Sequence, residues 1–383
     1  MALFVIIFLL LLAVPDAYIW WFFVRESANP LLNVLWWLPA ALALAAAAAW
    51  MCGFYSEWLM KGFFAILLCL ALPKLLFMLF SLAGIAAGHW SATLSAIIHI
   101  IGAAAAAALC GCCIYGFAAG TRRLEVRRAD ITFANLPAAF DGYRIVHISD
   151  LHVGTVSPQS TFLKKLVTQV NQLDADAILF TGDLVNSSPD ELAHHLDILA
   201  GLKARDGVWS VLGNHDYCMY ARYDSPDGAA RSLQRLISLQ RRMGWQLLLN
   251  ECAAVERDGQ QIAIVGVEND GRPPFPSRGD LKKALSGVAD TTFTILLSHD
   301  PSHWRREVLP AAAADLTLSG HTHAMQFEIF GLSPSALSYP EWGGLYREGN
   351  RVLHVSKGAG GTAPFRFGAW PEVTVITLHD KKN

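Results

Sequence analysis

The chain has 383 residues, 53% of them hydrophobic, with a mean hydropathy of +0.34 and a formal net charge of −2. That hydropathy excludes an ordinary soluble enzyme as an account of the whole chain, and the near-neutral charge excludes a general nucleic-acid binder. The apolar excess lies at the front, where the only charged residues before Thr121 are Asp16, Arg25, Glu26, Glu57, Lys61 and Lys74.

Four apolar stretches read as membrane spans, at about 2–24, 30–52, 62–88 and 92–120. Each reaches the roughly 20 residues needed to cross a hydrocarbon core of about 30 Å. The first has no basic leader and no small-residue cleavage pattern, so it is expected to be a retained span, although Pro15 and Asp16 interrupt it. Trp20, Trp21, Trp36, Trp37, Trp50 and Trp90 fall near span ends, as an interfacial belt would place them. The alanine runs Ala41–Ala49 and Ala104–Ala108 suggest close helix packing. Asp16 and Lys74 could mark a polar pathway or a lipid-headgroup pocket, but the favoured expectation is that Asp16 lies near an interface and Lys74 snorkels beside Pro73.

Orientation follows from the basic flanks. Arg122, Arg123, Arg127 and Arg128 come just after the last span, Lys61 lies between the second and third, and only Arg25 is opposite. An even number of spans then puts the amino terminus and the remainder of the chain in the cytoplasm, in an inner-membrane protein. The same arginines can also hold anionic headgroups.

Residues 121–141 read as a basic connector and residues 142–383 as a globular domain large enough for its own core. The seven cysteines show no disulfide framework and no zinc-knuckle spacing. Amphipathic helices are expected at Lys164–Leu173, Leu192–Leu202 and Arg231–Met243. Apolar runs predict buried strands at Arg144–Ser149, Ala177–Thr181, Val208–Leu212, Phe293–Leu297 and Leu316–Ser319. Trp245–Asn250, Gln261–Val267, Val352–Ser356 and Val373–Leu378 look like further strands. Strands alternating with helices, ending in a strand-rich stretch, predict an α/β sandwich.

Each of the five buried strands runs directly into a short polar motif. These are Asp150-Leu151-His152, Gly182-Asp183, Gly213-Asn214-His215-Asp216, Ser298-His299 and Gly320-His321-Thr322-His323. Ligands in sheet-based α/β folds bind beyond the carboxyl ends of strands, so all five can meet at one point. Alternation along an extended chain aims Asp150 and His152 at one metal. Asp183 can bridge two cations, and Asn214 offers a neutral oxygen. His299, His321 and His323 offer nitrogen, which suits Zn, Fe or Mn better than Ca. His215 is read as a proton donor to a leaving oxygen rather than a ligand. Asp216 either orients His215 or makes a plain loop hydrogen bond. His147, His194, His195, His303, His354 and His379 are expected to be structural or exposed.

The order Asp-x-His, Gly-Asp, Gly-Asn-His-Asp, His, Gly-His-x-His resembles the calcineurin-like metallophosphoesterases. Ile148-Ser149-Asp150-Leu151-His152-Val153-Gly154 and Ser319-Gly320-His321-Thr322-His323 are similar to the membrane-anchored bacterial branch of that family. Gly266-Val267-Glu268-Asn269-Asp270, Val355-Ser356-Lys357-Gly358, Arg366 and Pro371-Glu372 agree with it. The resemblance covers about Tyr143 to the carboxyl end. It implies a four-layer αββα sandwich of two mixed sheets, here preceded by an all-α four-span membrane region. It further implies that Asp150, His152, Asp183 and His323 hold one divalent cation, that Asp183, Asn214, His299 and His321 hold another, and that His215 donates the proton. One departure stands out: the branch follows its last histidine with Gly-Gly-Gln, and here it is Ala324-Met325-Gln326.

The resulting expectation is a membrane-bound phosphohydrolase acting on a lipid or nucleotide-linked lipid, because a connector of about twenty residues keeps the site near the bilayer. Two other readings stay open: a hydrolase of a soluble nucleotide or phosphoprotein with the spans as an anchor, and a non-catalytic membrane receptor or scaffold.

Overall fold

The structure is a computed structural model that describes residues 2–52, 54 and 57–381. The side chain of Trp50, expected in the aromatic belt, lies outside what is described. The chain divides into two compact units, one of residues 1–119 with Ala363–Phe367, the other of Gly120–Thr362 with the rest of the carboxyl end.

In the helical unit, Ala2–Ile19 runs on as a π segment, Trp20–Val24. Helices Pro30–Leu35 and Leu38–Met51 follow, with a turn at Trp36 and Trp37 bending the second expected span. Glu57–Ile66 passes through a second π segment, Leu67–Ala71, into Leu72–Gly88, and Ala92–Ala118 closes the unit. Among the described residues, the stretches 30–49, 58–88 and 92–122 are long and apolar enough to cross a membrane, while Leu10–Val24 is a shorter apolar helix.

Asp16 is 3% exposed and pairs with Lys74 Nζ at 2.5 Å, and that ammonium lies 4.2 Å over the Trp36 ring. The two charges therefore satisfy each other rather than seeking separate routes to an interface, which is how ionisable groups persist among apolar helices. Close helix packing comes from single small residues rather than from two alanine runs. Ala43 packs with Leu12 and Ala71 in the unit's apolar cluster, but Ala104, Ala107 and Ala108 are exposed. Helix Ala92–Ala118 approaches its neighbour through Gly102, where a Cβ would overlap Phe80.

The α/β unit contains, in chain order, β1 (Glu125–Phe133), β2 (Arg144–Ile148), β3 (Ala177–Phe180), β4 (Val208–Ser210), β5 (Gln246–Leu247), β6 (Glu251–Arg257), β7 (Gln260–Gly266), β8 (Phe293–Leu297), β9 (Leu316–Ser319), β10 (Gly344–Glu348), β11 (Arg351–Val355) and β12 (Glu372–Asp380). The first sheet runs β1-β12-β2-β3-β4-β5 and the second β10-β11-β9-β8-β7-β6. In the first, β2, β3, β4 and β5 are mutually parallel and β12 is antiparallel to β2. In the second, β7, β8, β9 and β11 are parallel and the two outer strands antiparallel.

The sheets stack through inward side chains that include Ile145, Leu179, Ile264, Ile295, Leu318 and Ile376. Helices Phe162–Asn171 and Gly228–Arg242 cover the outer face of the first sheet with Leu163, Leu166, Val170 and Leu236. Trp304, Val308, Leu281 and Ala284 cover the outer face of the second. This is the expected four-layer αββα sandwich, with helices burying the apolar face each sheet leaves.

Two local expectations fail. Residues 125–133, expected within a connector, form β1 and pair in parallel with β12, which shortens the link from helix Ala92–Ala118 to residues 119–124. β1 is an edge strand with one sparsely buried face, so its sequence lacks an apolar run. Residues 192–202 do not form one helix. A capping box between Ser188 and Glu191, with Pro189 at the first position, starts a 3₁₀ turn at Pro189–His194, and a short helix, Leu196–Leu199, follows.

Candidate active site

β2, β3 and β4 are parallel neighbours, so the loops carrying Asp150 and His152, Asp183, and Asn214 and His215 leave one edge of the first sheet. β8 and β9 deliver His299, His321 and His323 from the second. Strand alternation is not what aims them, because β2 ends at Ile148 and the chain then turns sharply. Asp150, His152, Asp183, His321 and His323 all have positive φ, between 43° and 72°. Left-handed backbone outside glycine is costly and gathers at functional sites, where packing enforces it. Two glycines permit the approach. A Cβ at Gly320 would overlap Ser149 Oγ and Asp150 Oδ2, and one at Gly213 would overlap Asp183 Oδ1.

The seven candidate ligands converge in two groups. One donor atom from each of Asp150, His152, Asp183 and His323 lies within 4.8 Å of the others, and the same holds for Asp183, His299 and His321. Asp183 belongs to both: its Oδ2 is 3.4 Å from His152 Nε2 and 3.2 Å from His299 Nε2, while Oδ1 accepts the His215 N–H at 2.8 Å. His323 Nε2 is 3.1 Å from His152 Nε2 and 3.3 Å from Asp150 Oδ1. Asn214 Oδ1 is 2.8 Å from His321 Nδ1 and 3.2 Å from His299 Nε2. Lone pairs of carboxylates, an amide oxygen and imidazoles aimed at two adjacent points are a donor set suited to two divalent cations.

Electrostatics agree with that fit at His152 and His321, while His299 carries the positive charge that the carboxylates call for. Burial holds His152 and His321 down to about 4, so both present neutral nitrogens at pH 7. Burial opposes charge on His299 as well, but Asp183 and Asp150 override it and push it up to about 10. Burial likewise penalises the Asp183 carboxylate, yet His299 and His215 hold it well below its usual range.

His215 stands beside the first group, its ring centroid 4.8 Å from that of His152 and 4.5 Å from that of Tyr220. Its Nδ1–H donates to Asn186 O at 2.6 Å, which leaves Nε2 as the free ring atom. Asp216 does not orient it. The buried Asp216 carboxylate accepts backbone N–H groups from Asp183, Leu184 and Gly213 at 2.8, 2.8 and 2.9 Å and from Val185 at 3.2 Å. It braces the loop of Asp183, because the tight turn after Asn214 points the two consecutive side chains in different directions.

The residue that does support His215 is Glu191, whose oxygens accept the N–H groups of Asn186, Ser187 and Ser188 at 2.6, 2.9 and 3.1 Å. The Ser188-x-x-Glu191 spacing was the available signal. Tyr220, Phe275 and Tyr339 also border the site, with no motif to announce them. Asn214 Nδ2 donates to Tyr220 Oη at 2.9 Å, and the Phe275 ring meets His321 edge-on at 4.7 Å.

Of the histidines expected to be structural or exposed, His147, His195, His303 and His354 are buried and His194 is exposed. His147 and His354 face each other between the sheets with Nδ1 atoms 2.8 Å apart, and His195 Nε2 lies 3.2 Å from Val156 O. His303 sits with Asp270 and Glu307, but Arg306 already neutralises Asp270 at 2.9 Å, so this third cluster is a closed ion-pair set.

Residues 143–325 match the family model described as calcineurin-like phosphoesterase. A transmembrane protein with metallophosphoesterase domain from Danio rerio is 31% identical over 274 residues, covering 69% of this chain and 60% of that protein. The chain thus spans less than two thirds of that relative's length. An uncharacterised metallophosphoesterase of Bacillus subtilis, YkuE, is 31% identical over 293 residues, 73% of this chain and 94% of the relative. The UDP-2,3-diacylglucosamine pyrophosphatase LpxG of Chlamydia muridarum is 28% identical over 303 residues, 66% of this chain and 88% of that enzyme. With the family model seated on the strands that carry the convergent carboxylates and imidazoles, and a bacterial relative matched along nearly its whole length, the chain belongs to the calcineurin-like metallophosphoesterases.

Proposed function

We propose that the protein is a membrane-bound phosphohydrolase that uses two divalent cations, Mn, Fe or Zn, to cleave a phosphoester of a lipid or nucleotide-linked lipid at the cytoplasmic face of an inner membrane. Asp150, His152, Asp183 and His323 hold the first cation, and Asp183, Asn214, His299 and His321 the second. The observation that carries this is Asp183 Oδ2, at 3.4 Å from His152 Nε2 and 3.2 Å from His299 Nε2, a single oxygen between two imidazole sets. Bound there, the cations would clamp phosphoryl oxygens and make water a nucleophile near neutral pH.

The chain's own groups supply the rest. His215, its Nδ1–H pinned to Asn186 O, would give a proton to the leaving oxygen from Nε2 of the doubly protonated ring. His215→Ala should keep its metal and lose about 10²–10⁴-fold in rate on alkyl phosphoesters. The loss should shrink for nitrophenyl leaving groups, which need little protonation, and an equal loss on both substrates would remove the role.

Support for a lipid substrate comes from the apolar helices, the short link between helix Ala92–Ala118 and β1, and the likeness to the UDP-2,3-diacylglucosamine pyrophosphatase of Chlamydia muridarum. The cytoplasmic assignment rests on Arg122, Arg123, Arg127, Arg128 and Lys61. Full-length protein reconstituted in vesicles with Mn should split a diphosphate-linked lipid in the same bilayer into two phosphate monoesters, resolved by chromatography. Turnover confined to soluble phosphoesters would move a soluble nucleotide or phosphoprotein into its place. A carboxyl-terminal reporter that works only in the periplasm should stay silent; if it is active, the orientation is reversed.

A further inference from the structure

The two ring nitrogens of His321 have different surroundings. Nδ1 lies 2.8 Å from Asn214 Oδ1, on the side of Asp183 and His299. Nε2, on the other side of the ring, lies 2.8 Å from Tyr339 Oη and 3.8 Å from Asp300 Oδ2. Asp300 is fully buried; its Oδ1 accepts the Ser302 N–H at 2.8 Å, while Oδ2 has no hydrogen-bond partner. A buried carboxylate oxygen without a donor costs stability unless a nearby group uses its charge.

The ring is also held in place laterally. Phe275 meets it edge-on at 4.7 Å and Tyr339 at 5.4 Å. The segment bearing Tyr339 is tied to the ligand turn, since Ser335 Oγ donates to Thr322 O at 3.2 Å and Thr322 Oγ1 donates to Trp342 O at 2.6 Å.

A neutral imidazole has one N–H and one lone pair. If Nδ1 is to face a cation, the proton must sit on Nε2, and that N–H needs an acceptor. We propose that Tyr339 and Asp300 form a positioning pair that fixes His321 as its Nε2–H tautomer and presents the Nδ1 lone pair to the second cation. Tyr339 Oη accepts the N–H directly, and the Asp300 carboxylate supplies the negative potential that favours a proton at that edge of the ring. The proposal rests on the dinuclear reading of the site.

The test is a metal titration of full-length protein, stripped of metal and titrated with Mn(II), with bound ions counted after equilibrium dialysis. Tyr339→Phe keeps the ring and Asp300→Asn keeps the oxygen that caps Ser302, so both preserve local packing. Each should weaken the second cation roughly 10–100-fold, the usual effect of removing an outer partner of a ligand, and leave the first unchanged. Unchanged affinity for the first cation also shows that the variants are folded. In zinc-loaded protein, ¹⁵N spectra should show the His321 proton on Nε2 and a loss of that preference in the double variant. Both variants taking up the second cation with wild-type affinity would overturn the pair. A wild type that takes up fewer than two cations would instead overturn the dinuclear reading.

Discussion

The two sheets bring opposite chemistry to one centre. The first supplies both carboxylates and the amide, Asp150, Asp183 and Asn214, together with His152 and His215. The second supplies its candidate ligands as imidazoles, His299, His321 and His323, with the Asp300 carboxylate behind His321. Neither edge is a site alone: one gathers buried negative charge, and the other carries His299, which balances part of it. The elevated His299, up to about 10 under the influence of Asp183 and Asp150 against its burial, shows that balance operating across the gap. It follows that a cation bound here is also a cross-link between sheets.

The largest break in this asymmetry is Asp183→Asn. Because Asp183 belongs to both donor groups, the variant should lose both cations and all turnover while the domain stays folded, by elemental analysis and circular dichroism. A single ligand from the second sheet should behave differently: His323→Ala should cost the first cation alone and His321→Ala the second alone. Two metals retained in Asp183→Asn would end the bridging assignment.

If the cations link the sheets, stripping them should loosen that junction. Ions held at about 100 times their dissociation constant stabilise the folded state by about 2.7 kcal/mol for each independent site. The expected consequence of chelation is a thermal midpoint lower by roughly 5–10 °C per site, read on full-length protein with and without added Mn. Hydrogen exchange should rise first in the loops after β2, β3, β8 and β9. No shift in midpoint would mean that the sheets are held by their apolar core alone.

What was legible in the sequence tracks burial. β2, β3, β8 and β9 are buried along almost their whole length and read as clean apolar runs ending in ligands. β1, β6 and β10 lie at sheet edges with mixed exposure, so no run marks them. The ligand set was readable because each motif follows such a run. How the ligands turn was not, since left-handed residues at Asp150, His152 and His323 come from tertiary packing rather than from glycine or asparagine. Adjacency misled at Asp216, whose neighbour in sequence is not its partner in space. Tyr339 and Asp300 lie far from His321 along the chain or in no motif with it, so only the fold brings them together.

A second link between the sheets needs no metal. His147 on β2 and His354 on β11 meet with Nδ1 atoms 2.8 Å apart, and His147 Nε2 lies 2.9 Å from Thr181 Oγ1. Burial holds His354 down to about 3, and burial with the neighbouring His354 holds His147 well below the usual imidazole range. Below about 6.5 the unfolded chain therefore binds protons that the folded one refuses, so stability rises with pH. The contribution is complete above that value and drains away as pH falls, in the case of His354 towards about 3, by up to about 1.4 kcal/mol per pH unit. In metal-free protein, the double variant His147→Leu, His354→Leu should show a shallower fall in urea midpoint between pH 6.5 and 4. An unchanged slope would place the acid sensitivity elsewhere.

The smallest effect separates the sheets by their backbone. Among the first sheet's candidate ligands the left-handed residues are Asp150, His152 and Asp183, no two of them adjacent, and two of the three are aspartates, which tolerate that region. The second sheet's ligand turn has four in succession, His323, Ala324, Met325 and Gln326, with φ of 50°, 51°, 47° and 57°. Two of these stand where the resembling branch has glycine. A left-handed non-glycine residue costs about 1–2 kcal/mol, while glycine gives back about 0.5–1 kcal/mol in unfolded-state entropy. Relief at one site is thus on the order of 1 kcal/mol or less, a rise of a few degrees in midpoint for a domain of this size. Met325 is 55% exposed, so its side chain contributes little packing and Met325→Gly should show the gain almost in full. Ala324 is fully buried, and deleting its methyl leaves a small void that cancels part of the relief, so Ala324→Gly should be closer to neutral. The ordering of the two midpoints is the test. A Met325→Gly midpoint below wild type would mean that the methionine holds the turn through its own contacts, and the second sheet's loop would then be packed rather than strained.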